Sequence, residues 1–386
     1  MKIYDKIGGK RFNDNCQKSP VLVNFTGRRG GGALTAYELT KALIENGNKV
    51  VAVISETIEN LEDWKKLNIE KLVVIPTYDN KVSYLINSFL FYFKQRRKIK
   101  KEFINYNIQN VLCPMDTLWS QKVINCFRNT KVVMCLHDPK AHEGTSIIER
   151  FLGEKHVKKS DAVIVFTKKF MDDVIKKYNK PTYYTPLGRH NIYKDCENKK
   201  QLVAYDENMI NFVFFGRITP YKGLDTLAKA YRIVCEQLGE KVSLTICGNG
   251  DFSPYETLYD KLPNVKIVNQ WIHDEEVESI FTGSNLVSVC PYSEATQSGV
   301  VLVSLDYGVP VIATKTGGLD EQIKDGYSGF LVETNNATQC ADAMIKLANE
   351  EDLRKEMSCN CIKQINELSW NNSAKLVTDI MENLWN

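Results

Sequence analysis

NLVSVCPYSEATQSGVVLVSLDYGVPVIATKTGGLDE, residues 285–321, decides the fold. LVSVC at 286–290 is apolar enough for a strand buried on both faces, and Pro291 ends it because proline brings no ladder N–H. Ser293 to Gly299 are small and polar, and VVLVSLDYG then has the spacing of a helix packed on a sheet and closed by Gly308. A helix N-terminus thus faces the loop Thr296-Gln297-Ser298-Gly299. Its free N–H groups and positive dipole end favour an anion, with hydroxyl donors beside it and a glycine that permits close approach. A diphosphate suits such a loop, although serine and threonine are also ordinary N-caps. PVIAT at 310–314 is a second buried strand, followed by another strand-to-helix loop, Thr316-Gly317-Gly318-Leu319-Asp320-Glu321. Two such loops side by side imply a ligand site at one sheet edge.

The chain has 386 residues, enough for two domains with separate cores. Hydrophobic content of 43%, charged content of 25% and a net charge of +3 are those of an ordinary globular protein and give no footprint for nucleic acid. The 11 cysteines form no CxxC pair and no zinc spacing, so they read as reduced thiols and no metal site is expected. With no apolar leader and no run of eighteen apolar residues, the expected location is cytoplasmic.

Residues 1–19 read as a polar lead-in to the strand VLVNF at 21–25. The loop Thr26-Gly27-Arg28-Arg29-Gly30-Gly31-Gly32-Ala33 follows, then a helical stripe through Leu34, Tyr37, Leu39, Leu43 and Ile44. This is a βαβ unit without the Gly-Lys-Ser/Thr of a P-loop. Its glycines serve either a tight turn or a close-approaching backbone. Short apolar runs recur at 50–55, 71–76, 110–115, 131–138 and 161–167, the rhythm of a doubly wound parallel sheet. Ligands in such sheets sit beyond the strand carboxyl ends, where His137 and Asp138 fall, with Pro139 and His142 after them. A histidine there is either a structural hydrogen-bonder or a site residue. Residues 84–101, YLINSFLFYFKQRRKIKK, set Phe89, Leu90, Tyr92 and Phe93 beside six basic residues without an acid. That composition suits an anionic membrane surface, or else a partly buried helix with a solvated basic end.

NIYKDCENKKQ, 191–201, reads as a linker. Beyond it NFVFFG, 211–216, leads through Gly216 into Arg217-Ile218-Thr219-Pro220-Tyr221-Lys222-Gly223 and a helix beginning near Leu224. SLTICGNGD ends a strand at Gly248, where a backbone can approach a nucleotide, and VKIVNQW, 265–271, is the next strand before a short helix at 274–281.

In order and composition these motifs resemble the donor-binding half of the retaining family 4 glycosyltransferases of GT-B fold. The resemblance is strong over 211–332 and weak before 130. It implies two Rossmann-like domains facing a cleft, 1–190 and 202–367, with a final helix in 368–386 crossing back to the first domain. It assigns Arg217 and Lys222 to the donor pyrophosphate, where their charge can stabilise the leaving nucleotide, although a surface ion pair would need the same residue types. By resemblance Gly30, Gly31 and Gly32 close over donor phosphates and acceptor, His137 lies near the donor sugar, Thr167 supplies a small hydroxyl, and the Trp271–His273 loop receives the base. A UDP-sugar is favoured over a GDP-sugar. No metal or other cofactor is implied beyond the nucleotide-sugar co-substrate.

The pattern also departs from the family. Members carry two glutamates eight positions apart, the first near the sugar and the second on the ribose, and the ungapped count here gives Ala295 and Val303. Glu294 is one residue early and reaches the sugar only by a loop adjustment. Valine cannot hydrogen bond, so the ribose must be recognised otherwise. The expected function is transfer of a sugar to a hydroxyl acceptor, such as a lipid-linked or polysaccharide precursor at the membrane face. The alternatives are a nucleotide-sugar epimerase and a non-catalytic partner subunit.

Overall fold

The structure, a computed structural model, describes residues 19–78, 80–139, 147–196 and 198–385. Its frame is two wholly parallel sheets. The first holds β1 (Val21–Phe25), β2 (Val50–Ser55), β3 (Lys71–Ile75), β4 (Asn110–Cys113), β5 (Lys131–Leu136), β6 (Ala162–Val165) and β7 (Thr182–Tyr184), in the order β3-β2-β1-β4-β5-β6-β7. The second holds β8 (Ile210–Phe215), β9 (Val242–Gly248), β10 (Val265–Asn269), β11 (Leu286–Cys290), β12 (Val311–Thr314) and β13 (Gly329–Val332), in the order β10-β9-β8-β11-β12-β13. Each is doubly wound, the α/β arrangement of a GT-B protein. Strands β1, β2, β11 and β12 are buried at every residue, as strands covered by helices on both faces must be. The edge strands β7 and β13 lack a comparable apolar run and were not marked by sequence pattern.

In each sheet the order reverses at one place, between β1 and β4 and between β8 and β11. Loops leaving neighbouring strands there diverge to opposite faces and leave a crevice at the carboxyl ends. The two crevices face each other across the domain boundary. The helix Trp370–Asn383 returns to the first domain and packs on the helix Gly31–Glu45 and on β5. Trp370 Nε1 donates to the Arg189 carbonyl at 2.8 Å, and the Thr185 and Ser373 hydroxyls lie 2.7 Å apart.

Residues 81–102 form the helix Lys81–Leu90, a π-turn Phe91–Gln95 and the helix Arg96–Glu102. Phe91, Gln95 and Ile99 anchor the segment in the domain. Val82, Leu85, Ile86, Phe89, Tyr92 and Phe93 are each more than half exposed. One side of this stretch is therefore buried, and the other presents apolar side chains beside exposed basic ones.

Candidate active site

A cavity of about 360 Å³ opens between the two domains, built from loops at the switch point of each sheet. From the first domain come Gly30, Gly31, Gly32 and His137; from the second come Gly216, Arg217, Lys222, Gly248, Trp271, Gln297, Ser298 and Gly299. Thus the structure brings together most of the residues singled out in the sequence. Two lie elsewhere. Glu294 is exposed and outside the cavity, where Ala295 lines the wall, so no loop adjustment carries the carboxylate inward. Thr296 is buried behind the wall, its carbonyl accepting from Thr167 Oγ1 and from the Gly318 amide, each at 3.0 Å. His142 falls outside the described residues.

The floor is set by glycines. Gly248 has φ 154°, and a Cβ there would lie 1.8 Å from the Gly216 carbonyl oxygen. Gly317 has φ 56°, and a Cβ there would lie 1.4 Å from the Ala295 carbonyl, so the two glycine loops lie in direct backbone contact. By contrast a Cβ on Gly31 meets nothing within 4 Å.

The helix Gly299–Asp306 begins at Ser298, whose side chain makes no capping hydrogen bond. Its amide instead donates to Gln322 Oε1 at 2.8 Å. Ser298, Gly299 and Val300 line the cavity, so the dipole of the first turn is directed into it. Lys222 ends the short helix Pro220–Lys222, and its Nζ stands 3.7 Å from the centre of the Tyr292 ring. Burial pulls its pKa down from 10.5 to about 8, and the neighbouring Arg217 charge acts in the same direction. Arg217, just beyond β8, is exposed on the cavity wall. Neither side chain has a carboxylate partner among the described salt bridges, which argues against the surface ion pair.

His137 has both ring nitrogens engaged. Nε2 lies 2.9 Å from the Pro114 carbonyl, which can only accept, so Nε2 carries the proton. Nδ1 is then the acceptor for Gln297 Nε2 at 3.2 Å, a bond that crosses between the domains. Burial lowers the pKa of this histidine. In this state it orients Gln297. A second cross-domain tie is made by Glu321, whose two carboxylate oxygens accept from the Lys168 and Lys169 amides at 2.8 Å each.

The structure adds residues that sequence reasoning left out of the site. Glu59 lines the cavity, accepts from the Gly30 amide at 2.8 Å and has its pKa raised to about 7, chiefly by burial. Asp274, the first residue of the helix Asp274–Phe281, is raised to about 6 for the same reason. Tyr193 and His190 come from the interdomain segment, and His190 is buried with both ring nitrogens unpartnered. The Arg29 guanidinium lies 5.4 Å over Trp271. No local signal marks these positions, since His190 ends the first half, 191–201 looks like a linker and Asp274 looks like an ordinary first-turn acid. Among the described residues no group of three potential metal ligands gathers anywhere.

A second cavity, about 690 Å³, adjoins in the first domain and shares Met115, His137 and Asp138 with the first. One wall runs along Tyr78, Asp116 and Thr117, the other along Glu154, Asp173 and Lys177.

Two facing doubly wound domains with an interdomain cavity of this kind define a GT-B protein. Residues 195–364 match the family model of glycosyl transferases group 1. An uncharacterized glycosyltransferase, MJ1069 of Methanocaldococcus jannaschii, is 28% identical over 247 residues, 62% of this chain and 62% of the relative. The D-inositol 3-phosphate glycosyltransferase of Corynebacterium diphtheriae is 20% identical over 281 residues, 68% of this chain and 65% of the relative. The matches thus span less than two thirds of the length of these curated relatives. The crystal structure of Anabaena Alr3699/HepE in complex with UDP-glucose superposes with a TM-score of 0.67 at 14% identity, covering 94% of this chain and 99% of that one, a likeness of fold.

Proposed function

We propose that this chain is a retaining glycosyltransferase that moves a sugar from a nucleotide-diphosphate sugar to a hydroxyl acceptor. One observation carries the reading: Arg217, Lys222, the N-terminus of the helix Gly299–Asp306 and the glycines of two strand ends converge on one interdomain cavity. Two cations and a helix dipole form a site for a diphosphate, and the same groups stabilise the charge that develops on it as a leaving group. In the proposed step the bond from the anomeric carbon to the phosphate oxygen breaks and its electron pair stays on that oxygen. The acceptor hydroxyl attacks the anomeric carbon from the same face, and its proton passes to the departing oxygen. No metal ion is required for this balance of charge. The adjoining cavity, which reaches His137, is where the acceptor would enter. The bonds from Glu321 and Gln297 across the cleft would hold it closed against water.

The HepE structures contain UDP and UDP-glucose, which supports a UDP-sugar as the first donor to try. The exposed apolar and basic surface of 82–101 supports an acceptor presented at an anionic membrane, although no helix among the described residues is long and apolar enough to span one. A second reading, a non-catalytic partner subunit, is favoured by Val303 in the cavity wall and by the outward position of Glu294.

A thermal-shift screen against UDP, GDP, ADP and their sugar conjugates tests the proposal, since a ligand of the folded state raises Tm. A shift with one nucleotide, lost in Arg217→Ala and Lys222→Ala, is expected. No shift with any would refute the donor site, and binding without turnover in the presence of acceptors would select the second reading.

A further inference from the structure

The donor cavity is electrostatically divided. Arg217, Lys222 and the helix N-terminus make one part suited to phosphate. The other part carries Glu59, from the loop after β2, and Asp274, at the start of a helix in the second domain. Two carboxylates repel phosphate. When ionised they only accept hydrogen bonds, so they suit a neutral group that brings donors.

A further observation points to a ligand there. Tyr193 is nine-tenths buried, lines the same cavity, and its hydroxyl has no hydrogen-bond partner among the described residues. Glu59, Asp274 and Tyr193 all line this one cavity, and burial first, then the two carboxylate charges, raises the phenol's pKa. Asp274 likewise receives no hydrogen bond or ion pair from a described residue. Tyr193, Val277 and Val303 share one apolar cluster, so the valine that cannot read a hydroxyl sits beside groups that can.

We infer that Asp274 and Glu59, with the Tyr193 hydroxyl, form the subsite that grips a vicinal diol, the 2′- and 3′-hydroxyls of the donor's ribose. This inference rests on the donor reading above. A diol presents two O–H donors to carboxylate acceptors, while the phenol can donate back to a ribose oxygen. The carboxylates come from different domains, so the diol bridges the cleft and couples nucleotide binding to closure. A guanine ring, with its adjacent N–H donors, is the other neutral group with this chemistry, and the test separates the two.

Titration calorimetry of the full chain with UDP and 2′-deoxy-UDP, and with GDP, 2′-deoxy-GDP and IDP, gives the readout as ratios of Kd. Wild type is expected to bind the deoxy nucleotide about tenfold more weakly than its ribose parent, the loss of one hydrogen bond to a charged group. In Asp274→Asn, Glu59→Gln and the double variant the ratio should fall toward one. A merely structural effect would weaken both nucleotides alike and leave the ratio intact. Equal binding of deoxy and ribose forms by wild type, or an unchanged ratio in the double variant, overturns the inference. Discrimination of GDP over IDP that vanishes in Asp274→Asn, with no deoxy effect, would assign the carboxylates to a base instead. Binding lost in Arg217→Ala with the ratio unmoved in the carboxylate variants sinks this inference alone; absence of any nucleotide binding sinks the donor reading with it.

Discussion

Lys222 should make nucleotide binding depend on pH in a defined window. Its ammonium is half-buried against the Tyr292 ring, and burial brings its pKa to about 8 from 10.5. That difference corresponds to roughly 3 kcal/mol of unfavourable charging in the empty fold. A diphosphate placed beside the ammonium favours the charged form and raises the pKa again. Binding therefore takes up a proton above pH 8, and affinity falls as pH rises. With a free-state pKa of about 8 and a bound-state value well above it, Kd for UDP should increase about tenfold between pH 7 and pH 9. Asp274, raised to about 6, is ionised throughout this window, but Glu59, raised to about 7, ionises in its lower part, so the Lys222 effect is read in a Glu59→Gln background. Arg217 stays charged throughout. Calorimetry in buffers of different ionisation enthalpy reads both Kd and proton uptake. Lys222→Met should bind weakly with a flat profile, and Lys222→Arg should bind with a flat profile because a guanidinium does not titrate here. A wild-type Kd that is constant from pH 7 to 9 would refute the argument.

Gly317→Ala should cost at least about 2 kcal/mol and abolish nucleotide binding, because its Cβ collides with the Ala295 carbonyl at a positive φ; chemical denaturation checks it, with Gly31→Ala as a control expected near wild type. The Glu59 carboxyl is raised in the fold from 4.5 to about 7, so the folded chain keeps a proton that the unfolded chain releases between those values. Its contribution to stability is full below pH 4.5 and lost as pH rises through 7. Glu59→Gln should therefore melt slightly higher than wild type at pH 8, by under about 1 kcal/mol because solvent still reaches the partly desolvated side chain, and no higher at pH 4.5. Neutralising Lys94, Arg96, Arg97, Lys98, Lys100 and Lys101 together should abolish sedimentation with anionic vesicles while leaving the melting profile intact; unchanged sedimentation would remove the membrane reading.

Much of the fold was legible because doubly wound proteins advertise themselves locally. A strand buried on both faces must be a continuous apolar run, and a loop that lets backbone approach backbone must carry glycine. LVSVC, PVIAT and VVAVIS became β11, β12 and β2 with boundaries within a residue. The edge strands β7 and β13 escaped because their residues need not be buried throughout. At the site, Arg217 and Lys222 were marked by the resemblance of their strand-end loop, and both line the interdomain cavity. Glu294 could not be placed, because a one-residue difference in an irregular loop reverses which side chain faces inward.

The sequence by itself determined the two sheets and the strand-end loops, which follow from short-range spacing. Only the tertiary structure decided that His137 orients Gln297 and that Glu59, Asp274 and Tyr193 line one cavity. These placements join residues more than a hundred positions apart, or on opposite walls of the cleft. Periodicity reports which face of an element is buried and not what it is buried against, so pairings of this kind are settled only when the domains meet.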